Sequence, residues 1–363
     1  MSGVLAELLA AGGSAVEERH GPDMHVGGLA LLVQEGGVDR AEAVLVALRH
    51  GRRLAATMGP MRWLIALLGV QVLLGGGLVA LAATDNLPFG DGSSGGGDSA
   101  SAAEPVPRPK VDRFNARGAY GSVKRQVALG PRPAGSPASR KLGERLRRAL
   151  PRGRFQAVPG GLRNVIGTVP GTNPKRLVVL GAHYDTKDQP GFLGANDGAS
   201  GTAILVQLAR TLRPRRLAPT LVFIAFDGEE SPAGTPDAEF ERAGRRGSKV
   251  AALAYRGARA MILLDFVGER GLRIRREGFS DAPLWRKLRA AARRAGVGRV
   301  FPAGTQGPIL DDHVPFIRAG VPSIDLIDFD FPCFHRACDD LSVISERSLD
   351  AVGETVLELL RGL

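Results

Sequence analysis

The feature that most constrains this chain is one long apolar run, Trp63 to Ala83, in which Gln71 is the only polar side chain. Its 21 residues match the ~20 that a helix needs to cross the apolar core of a bilayer. A buried core helix is usually shorter, and a stretch of about 60 residues before the run is long for a cleaved leader. We therefore expect a transmembrane helix over residues 61–83, with a core helix and a signal peptide as the alternatives.

Flanking charge predicts the orientation of this helix. Arg53 and Arg62 lie just before the run, whereas no Lys or Arg follows it until Arg108. Positively charged flanks of membrane spans remain in the cytoplasm. We therefore expect residues 1–60 to be a cytoplasmic segment and everything after Thr84 to be extracytoplasmic.

A linker and a large domain are expected beyond the run. Gly, Pro and Ser supply 13 of the 27 residues in 84–110, which is typical of a flexible linker because so little apolar surface can be buried. Residues 111–363 alternate short apolar runs with helical patterns, which favours an α/β domain whose sheet is covered on both faces. Strands are expected at 163–169, 176–180, 220–226, 260–264 and 322–327, and helices at 139–149, 200–212, 282–295 and 348–360.

Composition excludes several other classes of protein. Two cysteines cannot build a disulfide-rich scaffold, and 44 % apolar with 23 % charged residues is a globular composition. The net charge of +11 invites comparison with nucleic-acid-binding proteins, but 41 of the 48 basic residues are Arg, scattered rather than grouped with aromatic residues. We expect no nucleic-acid partner, and attraction to anionic surfaces is the safer implication of the charge.

Acidic and histidine residues follow the apolar runs of the domain. His183 and Asp185 come directly after one run, where a histidine can bind a metal through one ring nitrogen while a carboxylate holds the other. Asp197 lies in a glycine-rich turn before a helical pattern, so it is either a ligand or only a helix cap. The carboxyl ends of strands are where sites form in open α/β sheets.

Two further strand ends carry carboxylates. Glu229 and Glu230 repel each other, which indicates that one binds a metal while the other handles protons, although a solvated turn is the alternative. Asp265 closes an apolar run, where a buried carboxylate requires a cation or a shared proton. Glu229 remains available as a base beside five residues of the types that zinc accepts, namely His183, Asp197, Glu230, Asp265 and His335.

The two cysteines, Cys333 and Cys338, flank His335 and leave three interpretations open. They are zinc ligands, a disulfide in an oxidising exterior, or packing residues.

The same residues resemble a known family, the M28 zinc aminopeptidase superfamily. The resemblance rests on His183-Tyr184-Asp185, Asn196-Asp197-Gly198-Ala199-Ser200-Gly201 and Asp227-Gly228-Glu229-Glu230. The run Asp311-Asp312-His313-Val314-Pro315-Phe316 and the placing of Asp339-Asp340 after His335 are more similar to the glutaminyl-peptide cyclotransferase branch. The motifs recur in order over about residues 115–363 and say nothing about residues 1–110.

The resemblance implies a three-layer α/β/α fold with a central mixed, mostly parallel sheet. It also implies an enzyme that converts the N-terminal Gln of peptides or proteins to pyroglutamate with release of ammonia. One zinc ion would be held by Asp197, Glu230 and His335, and Glu229 would be the general base and acid. Asp265 and Asp311 would form a hydrogen-bonded acidic pair.

Four further residues are expected to support the site or to contact the substrate: Asp185, Asp312, His313 and Phe334. Phe334 stands where the cyclases commonly have Trp, and Asp325 replaces a histidine of the animal enzymes. These differences concern substrate contacts more than the metal site.

Two alternative functions remain. The peptidases of the superfamily bind a second zinc through the equivalents of His183 and Asp265, and both residues are present here. A proton shared by Asp265 and Asp311 would occupy the lone pair that a second zinc needs, so we expect one zinc and cyclisation. A zinc aminopeptidase with two ions and a membrane-tethered binding domain without catalysis are the alternatives.

Overall fold

The computed structural model describes residues 105–212 and 217–363. The predicted cytoplasmic segment, the predicted transmembrane helix at 61–83 and most of the predicted linker lie outside these described residues. Within the described part of the chain, no helix is long and apolar enough to cross a membrane.

Six strands form one mixed sheet at the centre of the domain: β1 (Arg154–Val158), β2 (Leu162–Val169), β3 (Asn173–His183), β4 (Pro219–Phe226), β5 (Ala260–Leu264) and β6 (Ser323–Leu326). Their spatial order is β1-β2-β4-β3-β5-β6. Strands β4, β3, β5 and β6 are parallel, and β2 is antiparallel to both of its neighbours. The mixed, mostly parallel sheet is therefore confirmed, and its parallel strands all end at one edge.

Eight α-helices occur in the described residues: α1 (Ala116–Val127), α2 (Pro137–Ala149), α3 (Ala199–Thr211), α4 (Phe240–Ala243), α5 (Arg246–Ala254), α6 (Ala282–Ala295), α7 (His313–Arg318) and α8 (Glu346–Leu360). Short 3₁₀ turns lie at Asp237–Glu239 and Gly298–Val300. Several helix starts are encoded locally. Ser136 caps α2 and Asp281 caps α6, each accepting a backbone N–H three residues on.

Two apolar clusters, one on each face of the sheet, form the core. Val178 and Leu180 of β3 face the larger cluster, which contains the apolar sides of α1, α2, α3, α6 and α8. Val179 faces the smaller cluster with residues of α5 and α7. Because side chains alternate along a strand, a continuous apolar run such as β4 is buried on both faces. The arrangement is three-layered.

Several strands and helices of the structure are only weakly indicated by the sequence. The expected bounds of β5 and α6 match the observed ones, while the other expected elements differ by a few residues at their ends. The strand β1 and the helices α1, α4, α5 and α7 were not expected. β1 is a partly exposed edge strand, and α1 contains two glycines, so tertiary packing rather than intrinsic propensity decides both.

A carboxyl pair, Glu269 and Asp328, gives the fold a testable pH dependence. Burial, a hydrogen bond with Asp328 and the charge of Asp328 raise the pKa of Glu269 to about 8. The folded chain therefore keeps a proton that the unfolded chain, with an ordinary pKa of 4.5, has lost. Unfolding releases this proton, so stability falls as the pH rises between these two values.

We predict that Glu269→Gln reduces the loss of stability with rising pH, because the amide side chain keeps a hydrogen-bond donor but does not titrate. The free energy of unfolding, measured in urea between about pH 5 and 8, should decline less steeply for the variant than for the unaltered protein. Equal slopes for the two proteins would contradict the prediction.

Candidate metal and active site

The parallel strands bring the expected site residues to one edge of the sheet. His183 is the last residue of β3, Glu229 and Glu230 follow β4, and Asp265 follows β5 directly. Since β4, β3 and β5 are neighbours, these side chains meet at the carboxyl edge where sites form in such sheets.

A glycine turn delivers Asp197 to the same edge. Gly198 has a φ of +77°, and a Cβ there would lie 2.9 Å from the carbonyl oxygen of Asp185 and 3.0 Å from the ring of His183. Only glycine combines this backbone conformation with so close an approach. The turn therefore places Asp197 against His183 just before α3 begins.

Asp197 is the central carboxylate of the site and is 1 % exposed. Its Oδ1 lies 3.1 Å from Nε2 of His183, and its Oδ2 lies 3.5 Å from Nε2 of His335. Oε1 of Glu230 is also 3.5 Å from Nε2 of His335. One carboxylate thus belongs to two clusters, each with its own histidine.

The first cluster, Asp197, Glu230 and His335, has the composition of a catalytic zinc site. One ligand atom from each residue lies within 4.8 Å of the others. Oδ2 of Asp197 and Oε1 of Glu230 are buried without a hydrogen-bond donor, which is costly unless a cation is bound between them. Two carboxylates and one imidazole leave a fourth position free for a substrate atom. The donor set therefore fits zinc.

The second cluster contains His183, Asp197 and Asp265. Nε2 of His183 is 3.3 Å from Oδ1 of Asp265, and Nδ1 is 3.7 Å from Oδ1 of Asp185. Burial opposes a charged imidazole, but the charge of Asp265 and hydrogen bonds to the three carboxylates raise the pKa of His183 well above its usual value. A protonated His183 and a second metal ion are therefore competing sources of positive charge in this cluster.

One carboxylate holds the loop that bears the Glu229–Glu230 pair. The two carboxylate oxygens of Asp185 accept hydrogen bonds from the backbone N–H groups of Glu229 and Glu230, both with a length of 3.2 Å. From the other side, the backbone N–H of Arg245 donates to the carbonyl of Glu229 over 2.8 Å. The two glutamates are thus fixed relative to each other and to β3.

Glu229 has the properties of a proton carrier. It is 7 % exposed, lies in the cavity lining beside the first cluster, and makes no ion pair among the described residues. Burial, followed by the charge of Glu230, raises its pKa well above the usual value. A carboxyl group with a raised pKa can both take and give a proton near neutral pH.

Two supporting residues carried no functional assignment from the sequence. The Oδ1 and Oδ2 atoms of Asp339 accept the backbone N–H groups of Asn196 and Asp197, over 2.7 and 3.0 Å. The fully buried guanidinium of Arg132 donates to the carbonyls of Leu193 and Gly194. The position of Asp339 after His335 was a usable signal, whereas nothing in the sequence distinguishes Arg132 from a surface arginine.

Asp265 and Asp311 both line the cavity. Burial, together with the charge of Asp311, outweighs His183 and raises the pKa of Asp265 to about 7. Oδ1 of Asp265 accepts the N–H of Phe266 over 2.9 Å. The hydrogen bond expected between Asp265 and Asp311 stays a prediction, because Oδ2 of Asp311 has no partner in the described residues and its Oδ1 accepts the N–H of Asp312.

Behind Asp311, His313 lies between two buried carboxylates. Its Nε2 is 3.1 Å from Glu277 and its Nδ1 is 3.6 Å from Asp325. Asp311, His313 and Asp325 form a third group that is close enough to hold a cation, with Asp312 buried beside it. Carboxylates therefore face both ring nitrogens of His313.

The structure answers the question left open by the two cysteines: Cys333 and Cys338 form a disulfide. The bridge closes a short loop around His335, which has a φ of +50°, a conformation that non-glycine residues rarely adopt. Phe334 stacks on the His335 ring with 3.9 Å between centroids. Backbone conformation, disulfide and stacking together present His335 to the first cluster.

A cavity of about 360 Å³ opens above these residues. Carboxylates line its floor, and apolar side chains, among them Ile309, Phe329 and Phe334, line its walls. Among the described residues that line the cavity, Lys187 is the single lysine or arginine. Its Nζ lies 3.7 Å from Oε2 of Glu230. The cavity therefore suits a small, partly apolar group that ends in a basic amine.

Comparison with known proteins agrees with this geometry. The model of peptidase family M28 matches residues 164–360. A glutaminyl-peptide cyclotransferase of Drosophila melanogaster is 31 % identical over 226 residues, which are 52 % of this chain and 61 % of the relative. An aminopeptidase of Bacillus subtilis is 29 % identical over 208 residues, 53 % of this chain and 43 % of the relative. The chain thus spans less than two thirds of the length of these curated relatives.

Among solved structures, glutaminyl cyclase of Porphyromonas gingivalis is similar to this chain with a TM-score of 0.62 and 32 % identity. The match covers 69 % of this chain and 99 % of that one. The similar part is therefore nearly the whole of the bacterial cyclase. The chain belongs to peptidase family M28, in its glutaminyl cyclase branch.

Proposed function

We propose that the protein is a zinc-dependent glutaminyl-peptide cyclotransferase, which converts an N-terminal Gln of a peptide or protein to pyroglutamate and releases ammonia. The observation that carries the proposal is the position of Glu229, a buried carboxyl group of raised pKa beside the cluster of Asp197, Glu230 and His335 in one cavity. The similarity to glutaminyl cyclases over nearly the full length of the bacterial enzyme supports it.

Asp197, Glu230 and His335 would hold the zinc ion. When bound, zinc supplies Lewis-acid polarisation of the side-chain amide carbonyl. The chain's own residues have two further roles. The acidic floor attracts the N-terminal amino group, which reacts as the neutral amine, and the apolar walls exclude water from the reacting atoms.

Glu229 is the proton carrier in this proposal. It removes a proton from the substrate α-amine, whose nitrogen then forms a bond to the side-chain amide carbon. As the bond from that carbon to its amide nitrogen breaks, Glu229 returns the proton and ammonia leaves. Ring closure is intramolecular, so the site needs correct positioning more than an activated water. Asp265 and Asp311 orient the departing amide nitrogen.

We also propose that residues 61–83 anchor the protein in a membrane, with the catalytic domain on the extracytoplasmic side. The apolar run and the basic residues that precede it support this arrangement. The disulfide between Cys333 and Cys338 also supports it, since such bonds persist mainly in oxidising compartments.

One observation favours a second candidate function, aminopeptidase activity, in which the enzyme removes N-terminal residues by hydrolysis. His183, Asp197 and Asp265 could hold a second ion next to the first, and an aminopeptidase is among the relatives. A raised pKa of His183 and a carboxyl pair of Asp265 with Asp311 oppose that second ion.

The two adjacent glutamates should give distinguishable variants. Glu229→Gln keeps the shape but cannot carry a proton, so the rate should fall about 10²-fold or more while zinc binds normally. Glu230→Gln should instead lose zinc. Rates of ammonia release and zinc content measured for both proteins check this, and exchanged phenotypes would show that the two roles have been assigned the wrong way round.

Asp311→Ser tests the choice between cyclase and peptidase. Without the Asp311 carboxyl group, Asp265 can ionise more easily and bind a second zinc ion. We expect one zinc per unaltered protein, easier uptake of a second zinc by the variant, and impaired cyclisation of Gln-peptides. Two zinc ions in the unaltered protein, together with hydrolysis of aminoacyl amides, would favour the peptidase instead.

The disulfide loop should matter for zinc binding. Removing the bridge by Cys333→Ser with Cys338→Ser releases the turn that presents His335, and loss of such ligand support typically weakens metal binding about 10- to 100-fold. A competition titration with a chelator measures the change. Unaltered zinc affinity in the double variant would show that the turn holds His335 without the bridge.

Topology can be tested with reporter fusions after Leu363. A reporter that works only outside the cytoplasm should be active, because the basic flank precedes the apolar run. Activity of a reporter that works only inside the cytoplasm would reverse the proposed orientation.

A further inference from the structure

The positive charge of the described domain lies mainly on three helices. Residues 105–363 contain 42 Lys and Arg against 26 Asp and Glu. Of these, α1, α2 and α6 carry 13 basic residues and one acidic residue, Glu144. All three helices pack against the same face of the sheet, whereas the cavity opens at the strand ends. We call the exposed sides of α1, α2 and α6 the basic helical surface.

The helix α6 shows the pattern most clearly, because all five of its charged residues are basic. Arg286, Lys287 and Arg293 are exposed and form no ion pair with a described carboxylate. Arg294 does pair with Glu358 of α8, over 2.8 Å. Three cations along one helix therefore remain available for a partner.

The helix α2 repeats the arrangement with Arg140, Lys141 and Arg148, all exposed. Between the basic helices, α8 is acidic, but its Glu354 and Glu358 are occupied by Arg113 and Arg294. The acidic residues of α8 therefore offset only part of the surrounding positive charge.

The amino-terminal end of the described chain lies against this surface. The first described residues, Pro105 and Val106, share a small cavity with Tyr120 of α1 and the first residues of α8. The backbone N–H of Lys110 then donates to the carbonyl of Ala295 over 2.8 Å, so the predicted linker reaches the domain beside α1 and passes on to the last turn of α6. As a flexible chain, the predicted linker of 27 residues would have an end-to-end distance of about 30 Å. With residues 61–83 in a bilayer, as proposed above, lipid headgroups would be at high effective concentration near α1 and α6.

We propose that the basic helical surface docks the domain onto a bilayer that contains anionic phospholipid. Attraction of this kind needs clustered Lys and Arg near the headgroups and no shaped pocket. The exposed large hydrophobic residues of the described chain, Leu253, Phe279 and Phe329, lie outside the three helices, so the contact is electrostatic without insertion. On the three helices, Tyr120 is the single aromatic residue that is partly exposed. Such a surface disfavours single-stranded nucleic acid, whose successive bases stack on several aromatic side chains.

Docking through this surface leaves the cavity accessible. The cavity lies at the carboxyl edge of the sheet, whereas the three helices form part of a layer beside the sheet. A domain docked by that layer would therefore sample peptide N-termini close to the membrane. The inference rests on the proposed membrane anchor and does not depend on which reaction the site performs.

Vesicle sedimentation tests the proposal with residues 105–363, which contain the whole sheet and both of its apolar clusters. We expect binding to vesicles of equal parts phosphatidylcholine and phosphatidylglycerol, no binding to phosphatidylcholine alone, and release at high salt. Arg286→Glu with Lys287→Glu should lower the partition coefficient roughly tenfold or more. Arg140→Glu with Lys141→Glu should act in the same direction, which makes the test independent of α6.

The matched control is Arg256→Glu with Arg259→Glu, which makes the same change in net charge at exposed positions outside the basic helical surface. Its partition coefficient should change less than about threefold. An equal loss in the control would attribute binding to net charge and overturn the proposal. Binding to pure phosphatidylcholine, or stronger binding to a DNA duplex at equal phosphate concentration, would overturn it as well.

Discussion

The site depends on one carboxylate that two histidines share. Asp197 faces His183 with one oxygen and His335 with the other, and it has this orientation because Asp339 binds the backbone on its N-terminal side while Gly198 turns sharply after it. If Asp197 rotated, both clusters would lose a member at once. The number of ions that the site could hold therefore depends on the groups that surround this carboxylate as well as on the ligand types.

Those surrounding groups form a dense array of buried acids. Asp265, Asp311, Asp312 and Asp325 are all 4 % exposed or less, and burial raises the pKa of three of them, Asp265, Asp312 and Asp325. Such a cluster cannot be fully ionised without cations, so protons and imidazolium groups must share the space with any metal. In the proposed function, competition between protons and metal ions at these carboxylates decides whether the site would hold one zinc ion or two.

The sequence predicts the parts of this site that follow directly from strands. His183, Glu229, Glu230 and Asp265 were assigned because each follows an apolar run, and the parallel sheet then brings those run ends together. Arg132, Lys187 and Arg245 gave no comparable signal, since their burial or position depends on loops that fold back from distant parts of the chain. Likewise, the spacing of Cys333 and Cys338 allowed a disulfide without requiring one.

Asp185 accepts hydrogen bonds from the backbone of both Glu229 and Glu230. This arrangement has a consequence for evolution and engineering. Because one carboxylate fixes the proposed proton carrier and the proposed metal ligand together, a change in the distance between them would disturb both. The opposite wall of the cavity, formed by Ile309, Phe329 and Phe334, has no such tie to the glutamates. Substitutions on that wall can therefore change substrate preference, while the carboxylates of the cavity floor stay the same among related enzymes.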